Sequence, residues 1–152
     1  MTNILMVCLG NICRSPLAEG ILKSKLPINK FTVDSAGTSS YHIGDQPDRR
    51  SIEVAKINDI NISDQQARKF TIDDFDKFDL IYAMDSTNYQ NIIKLARNNH
   101  DFEKVKLILD EIPNNANRDV PDPYYGGDQG FENVFELLDV ACNSVASKLI
   151  ED

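Results

Sequence analysis

Apolar residues occur in short unbroken runs separated by stretches in which they recur every three or four positions, and this alternation continues along the whole chain. Asn3 to Cys8, with Ile4-Leu5-Met6-Val7 inside it, predicts a short buried strand. Pro16 to Leu26 carries Leu17, Ile21 and Leu22 with polar residues between them and predicts a helix. Phe31 to Ser35 alternates like a strand, and Arg49 to Ile57 sets Ile52, Val54, Ala55 and Ile57 in a helical context. Phe78 to Met84 predicts another buried strand, and Val105 to Leu109 a further one. Between them, Asp85 to Asn88 offers caps for a helix through Ile92, Ile93 and Ala96. Phe131, Val134, Phe135, Leu138, Ala141, Cys142, Val145 and Leu149 recur at helical spacing and predict a long closing helix. The order favours an α/β fold, a doubly wound, four-stranded parallel sheet flanked by helices on both faces. In such a fold ligands bind at the carboxyl ends of the strands. With no internal repeat or linker, residues 1–152 read as one domain.

Charge narrows the partners. A net charge of -8 with no basic stripe excludes nucleic acid, and an anionic ligand would need a local positive field. No apolar run reaches the length of a membrane span, and no secretory leader pattern is seen, so the chain reads as cytoplasmic with no membrane partner. Three cysteines, an odd number, suit a reducing compartment.

Candidate chemistry concentrates in Cys8-Leu9-Gly10-Asn11-Ile12-Cys13-Arg14-Ser15, which follows the first strand and precedes the first helix. Ser15-Pro16 reads as an N-cap followed by proline at the first helical position. The loop therefore ends at a helix N-terminus, where free N–H groups and the helix dipole attract anions. Gly10 permits a sharp turn that gathers the N–H groups of the loop into a nest. Arg14 adds a two-pronged donor that matches two phosphate oxygens. In that field Cys8 is favoured as thiolate and placed as a nucleophile, against the blander reading of a small core residue at a strand end. Cys13 has two readings: a packing residue, or a second thiol that can reach Cys8 and shield it from irreversible oxidation. Cys142 reads as core.

A second constellation is Asp119-Val120-Pro121-Asp122-Pro123-Tyr124-Tyr125-Gly126-Gly127-Asp128. Its residues are common in surface turns. Beside a nucleophile, however, Asp122 held between two prolines suits a general acid that protonates a leaving oxygen and then activates water. Tyr124 and Tyr125 can wall a cleft for an aromatic leaving group.

Together the two segments resemble the low-molecular-weight protein tyrosine phosphatases, and the resemblance spans essentially the whole chain. CLGNICRSP matches the family's C-x-x-x-x-x-R-S signature, Asp122 to Tyr125 its acid loop, and Val33 to Thr38, Asp48 and Met84-Asp85 its intervening segments. The resemblance implies a flavodoxin-like three-layer sandwich and hydrolysis of phosphotyrosine monoesters through a phosphocysteine. It makes Cys8 the nucleophile, Asp122 the acid, and Arg14 with the N–H groups from Leu9 to Ser15 the phosphate binders. It further implies that Ser15 donates to the Cys8 sulfur, that Asn11 stiffens the loop by bonding near Ser35, and that Tyr41 flanks the substrate ring with Tyr124. Tyrosine-phosphorylated proteins are the expected partners, phosphate or other oxyanions the expected site ligands, and no metal or cofactor is called for.

Ile12 stands where relatives acting on phosphoarginine carry Thr, which favours phosphotyrosine over an arginine phosphatase. An arsenate reductase on the same fold would need further downstream cysteines, and a mere binding module would not need both Cys8 and Asp122. Gln65 replaces a family His ahead of Ala67-Arg68, at a position the resemblance sets beside the Asn11 network. Arg68 and Lys69 are expected to form a basic rim, while His42 and His100 read as solvated loop residues.

Overall fold

A computed structural model describes residues 1–151, apart from the side chains of Tyr125 and Asp128. Four parallel strands, β1 (Thr2–Cys8), β2 (Phe31–Gly37), β3 (Leu80–Ala83) and β4 (Val105–Leu107), form one sheet in the order β2-β1-β3-β4. The helices are α1 (Arg14–Lys25), α2 (Arg49–Ile57), α3 (Asp74–Lys77), α4 (Ser86–Ile93), α5 (Asn99–Lys104) and α6 (Gly130–Glu151).

Alternation along β1 divides the core. Ile4, Met6 and Cys8 pack with Leu17 and Ile21 of α1, Val54 of α2 and Leu138 and Val145 of α6. Leu5 and Val7 point the other way, into a cluster with Phe75 of α3 and Ile92 of α4. A central strand buried on both faces must be apolar at every position, which is why β1 reads as an unbroken run. The result is the expected three-layer α/β sandwich. The strand order reverses at β1, between β2 and β3, so the Cys8 loop leaves the sheet where the crossovers diverge and a crevice opens.

Element ends differ from the sequence reading. β4 stops at Leu107, and Ile108 to Glu111 turn as a 3-10 helix with Ile108 and Leu109 buried. One reason is that its partner β3 ends at Ala83, and the Met84 carbonyl beyond it is taken by the Val120 N–H. α4 ends at Ile93 rather than reaching Ala96, and the short α3 and α5 were not anticipated. α1 begins at Arg14, two residues before Pro16, with Cys13 at the cap position and no side chain capping it.

Candidate active site

In the loop from Cys8 to Ser15, three carbonyls are taken by donors of the surrounding chain. Thr38 donates to the Cys8 carbonyl at 2.9 Å, Ser39 to that of Leu9 at 2.9 Å, and Asp48 to that of Ile12 at 2.7 Å. The N–H groups of Leu9, Gly10, Ile12 and Cys13 have no acceptor among the described residues. A ring of free donors at an uncapped helix N-terminus is an anion cradle. The residue that takes the left-handed turn is Asn11, at φ 59°, and not Gly10 as the composition of the loop suggested. Gly37 instead is the glycine the loop cannot do without, since a Cβ there would lie 2.8 Å from the Leu9 carbonyl oxygen.

Asn11 holds that strained conformation through side-chain bonds. Its Oδ1 accepts from the Arg68 N–H at 3.0 Å, and its Nδ2 donates to Ser15 Oγ at 2.8 Å and Ser35 Oγ at 2.9 Å. The Asn11 N–H lies 3.3 Å from Cys8 Sγ, and Ser15 Oγ 3.0 Å from it. Ser15 is therefore no N-cap. It sits inside the first turn of α1 with its hydroxyl committed to the sulfur, leaving the helix end open.

Cys8, Leu9, Gly10, Ile12, Cys13, Arg14, His42, Asp122 and Tyr124 line a small cleft of about 80 Å³. Arg14 is buried and anchored by one nitrogen, Nη1, which donates to Asp85 Oδ2 at 2.6 Å and to the Val120 carbonyl at 2.9 Å. Nε and Nη2 have no protein partner among the described residues and are left for a ligand. Asp122 accepts the Tyr124 N–H through Oδ1 at 3.0 Å, while its Oδ2 is likewise unengaged. Arg14 and Val120, 106 residues apart, thus meet beside the cleft that Cys8 and Asp122 line.

The acid-loop tyrosine is tied to α2. Tyr124 donates its hydroxyl to Asp48 Oδ2 at 2.8 Å, and its ring carries the Arg50 guanidinium at 4.9 Å. Burial and this bond push the Tyr124 phenol above its ordinary range. Burial acts against the Asp48 carboxylate, but the Arg50 guanidinium and N–H and the Tyr124 hydroxyl outweigh it and hold Asp48 below the usual range. Cys13 is buried beside Tyr124 as a free thiol, pushed up to about 12 chiefly by burial.

Several expected placements change. Tyr41 is 82% exposed and does not line the cleft; His42, read from sequence as a bland loop residue, does so, its ring turned toward Gly10 and held by Asp45 at 3.3 Å. Gln65 does not touch the Asn11 network: it donates to the Pro16 carbonyl at 3.2 Å, and its buried Oε1 has no partner among the described residues. The Arg68–Lys69 pair forms no free basic rim, because the Arg68 guanidinium is engaged by Asp34 and Asp74 at 3.2 and 3.0 Å. The Tyr125 side chain lies outside the described residues. Sequence reasoning missed Glu19 and Arg50, neither of which sits in a motif that announces it, and it noted Asp85 only as a helix cap and a matching segment without foreseeing its ion pair with Arg14.

Comparison with known proteins agrees with this geometry. A family model described as low molecular weight phosphotyrosine protein phosphatase matches residues 3–152. A Synechocystis protein carrying that family designation is 47% identical over 150 residues, covering 96% of this chain and 95% of its own. The crystal structure of an Entamoeba histolytica protein tyrosine phosphatase with Hepes in the active site superposes with a TM-score of 0.93 at 39% identity, over 99% of this chain and 98% of that one. Wzb of Vibrio vulnificus, in complex with benzylphosphonate, superposes at 0.85 and 32% identity, over 97% and 98%.

Proposed function

Since the chain belongs to the low molecular weight phosphotyrosine protein phosphatases, and is thereby a protein-tyrosine-phosphatase, we propose that Cys8 is its nucleophile, Arg14 its phosphate clamp and Asp122 its general acid. The observation that carries this reading is the convergence of all three in one cleft, with the sulfur facing two hydrogen-bond donors at its base.

The steps follow from the positions. A phosphotyrosine enters with its phosphoryl group against the free N–H groups and the two unengaged nitrogens of Arg14. The Cys8 thiolate attacks phosphorus, a P–S bond forms, and the P–O bond to the ring breaks. Asp122 passes its proton to the departing phenolate oxygen. Water then attacks the phosphocysteine and loses its proton to Asp122, while the sulfur leaves as thiolate and phosphate is released. Charge builds on the equatorial oxygens in each step, where Arg14 and the N–H nest bind most strongly. The loop supplies its own positive field, so turnover needs no metal.

Substrate preference rests on the walls. Leu9, Ile12, His42 and Tyr124 line the cleft beside Cys8, and these apolar and aromatic walls suit the ring of a phosphotyrosine better than the short side chain of a phosphoserine. Aliphatic Ile12 favours phosphotyrosine over phosphoarginine. The benzylphosphonate held by the Vibrio vulnificus relative joins a phenyl ring to a phosphonate, and that chemistry suits this cleft too. Residues 1–152 act as one phosphatase domain in a reducing, cytoplasmic setting, in keeping with three free thiols. No helix among the described residues is long and apolar enough to cross a membrane.

The purified protein is expected to hydrolyse an aryl phosphate in the presence of a chelator, and Cys8→Ser to abolish turnover. Substantial activity in Cys8→Ser would remove the assigned nucleophile. The same variant, used to capture phosphoproteins from the native lysate, identifies the substrates.

A further inference from the structure

Glu19 is a carboxylate inside the molecule, 4% exposed on α1, and the phosphatase chemistry makes no direct use of it. Its Oε1 accepts the Ser35 hydroxyl at 2.7 Å, and its Oε2 accepts Lys23 Nζ at 2.7 Å. Burying a carboxylate is unfavourable unless its oxygens are satisfied, and burial raises Glu19 above the ordinary range despite both bonds. Such a residue is kept for a reason other than packing.

The hydrogen-bond polarity leading from it can be worked out. Asn11 Oδ1 must accept from the Arg68 N–H, which turns its amide nitrogen toward Ser15 and Ser35. Each serine oxygen therefore receives a proton from Asn11, and each serine must place its own elsewhere. The Ser35 proton goes to Glu19, and the Ser15 proton goes to Cys8 Sγ. A central amide thus feeds two hydroxyls, each donating to an anion: a carboxylate at one end and the nucleophile at the other. The same Asn11 presents its N–H to the sulfur from a left-handed backbone.

We propose that Glu19 is a positioning residue for the nucleophile: by taking the Ser35 proton it locks Ser35 and Asn11 in the orientation that makes Ser15 donate to the Cys8 thiolate. Lys23 from the same helix favours the charged carboxylate against the burial that raises it. Asp34, the other charged group facing it from β2, is engaged by Arg68. The inference rests on Cys8 being the nucleophile, yet it concerns the state of the sulfur and not turnover.

The pH dependence of Cys8 alkylation by iodoacetamide tests it without any catalytic cycle, so a null result leaves the Cys8→Ser test of the phosphatase reading untouched. Cys13 and Cys142, both buried and pushed up to about 12, stay unreactive near neutral pH. Two effects of Glu19→Gln have opposite signs. Loss of a nearby negative charge favours the thiolate and moves the alkylation midpoint down, whereas loss of the Ser15 donation disfavours it and moves the midpoint up. The expected result is an upward shift, with kcat on an aryl phosphate reduced about tenfold and KM little changed, the worth of one charge-assisted hydrogen bond. In a Ser15→Ala background only the charge effect remains, so the substitution should move the midpoint no further up. A midpoint that is unmoved or lowered, or a shift that adds fully to that of Ser15→Ala, overturns the proposal. Ser35→Ala deletes the same link and carries the identical test should Glu19→Gln fold poorly.

Discussion

Arg14 Nη1 lies 2.6 Å from Asp85 Oδ2, an ion pair that fastens the end of the phosphate loop to the start of α4. Asp85 is also the cap of that helix, accepting the Asn88 N–H at 2.8 Å through its other oxygen. One carboxylate therefore fixes a helix end and the direction in which a buried guanidinium points. Asp85→Asn is expected to lower kcat/KM by about 10- to 100-fold, the range for losing a hydrogen bond to a charged group. Competitive inhibition by inorganic phosphate should weaken in parallel. Unchanged inhibition would show that the Val120 carbonyl alone suffices to aim Arg14.

Asp122→Ala should separate substrates by leaving group. Protonation matters most when the departing oxygen is strongly basic, so activity on phenyl phosphates bearing no activating group should fall far more than on nitrophenyl phosphates. A series of substituted phenyl phosphates reads this directly, and equal losses across the series would remove Asp122 as the acid.

Gly130→Ala should displace the acid loop. A Cβ on Gly130 would stand 2.5 Å from the Pro123 carbonyl oxygen, a backbone atom with no rotamer to move aside. The strain, about 1–3 kcal/mol for overpacking, outweighs the roughly 1 kcal/mol that alanine gains over glycine in a helix. Urea denaturation should show the net loss. Kinetics on poor leaving groups should fall while Cys8 alkylation stays normal, because the phosphate loop is not touched.

Arg97 sets part of the acid limit of stability. Its hydrogen bonds to Asp76 and Asp101 hold both carboxylates below their ordinary range. A depressed carboxylate contributes stability that is present above its unfolded value of about 3.9 and is lost as pH falls through the lower, folded value. The melting temperature should therefore drop steeply below about pH 4. Arg97→Gln, which removes the cause of both shifts, should lower the melting temperature at neutral pH and flatten that acid limb. A limb of unchanged slope would assign acid unfolding to other groups.

Much of this site was legible in the chain because its parts are local. Cys8, Arg14 and Ser15 fall within eight residues, and a strand followed by a helix fixes how such a loop is presented. Asp122, proposed as the acid, stood out in the chain because two flanking prolines and a following tyrosine form a compact turn, and the structure places it at the cleft. Other assignments failed for physical reasons. Ser15 reads as an N-cap by residue type, yet a buried sulfur within 3.0 Å is the stronger claim on its hydroxyl. Gly10 reads as the turn residue, yet Asn11 takes the left-handed conformation because three side-chain bonds hold it there. Tyr41 and His42 are neighbours in one turn, and which of them faces the cleft depends on the packing of that turn against Gly10.

The sequence by itself determined the alternation of strands and helices, the strand–loop–helix that presents Cys8, Arg14 and Ser15 together and the proline-flanked turn that holds Asp122, since each is written in residues that interact with near neighbours. Only the tertiary structure decided what aims and holds these groups. Asn11 meets the Arg68 N–H across 57 positions, Arg14 meets Asp85 across 71 and Val120 across 106, and Glu19 meets Ser35 across 16. Such contacts carry no periodicity and no fixed spacing. They exist because parallel strands bring their carboxyl ends to one edge of the sheet, where distant loops must share a small volume and satisfy one another's polar groups.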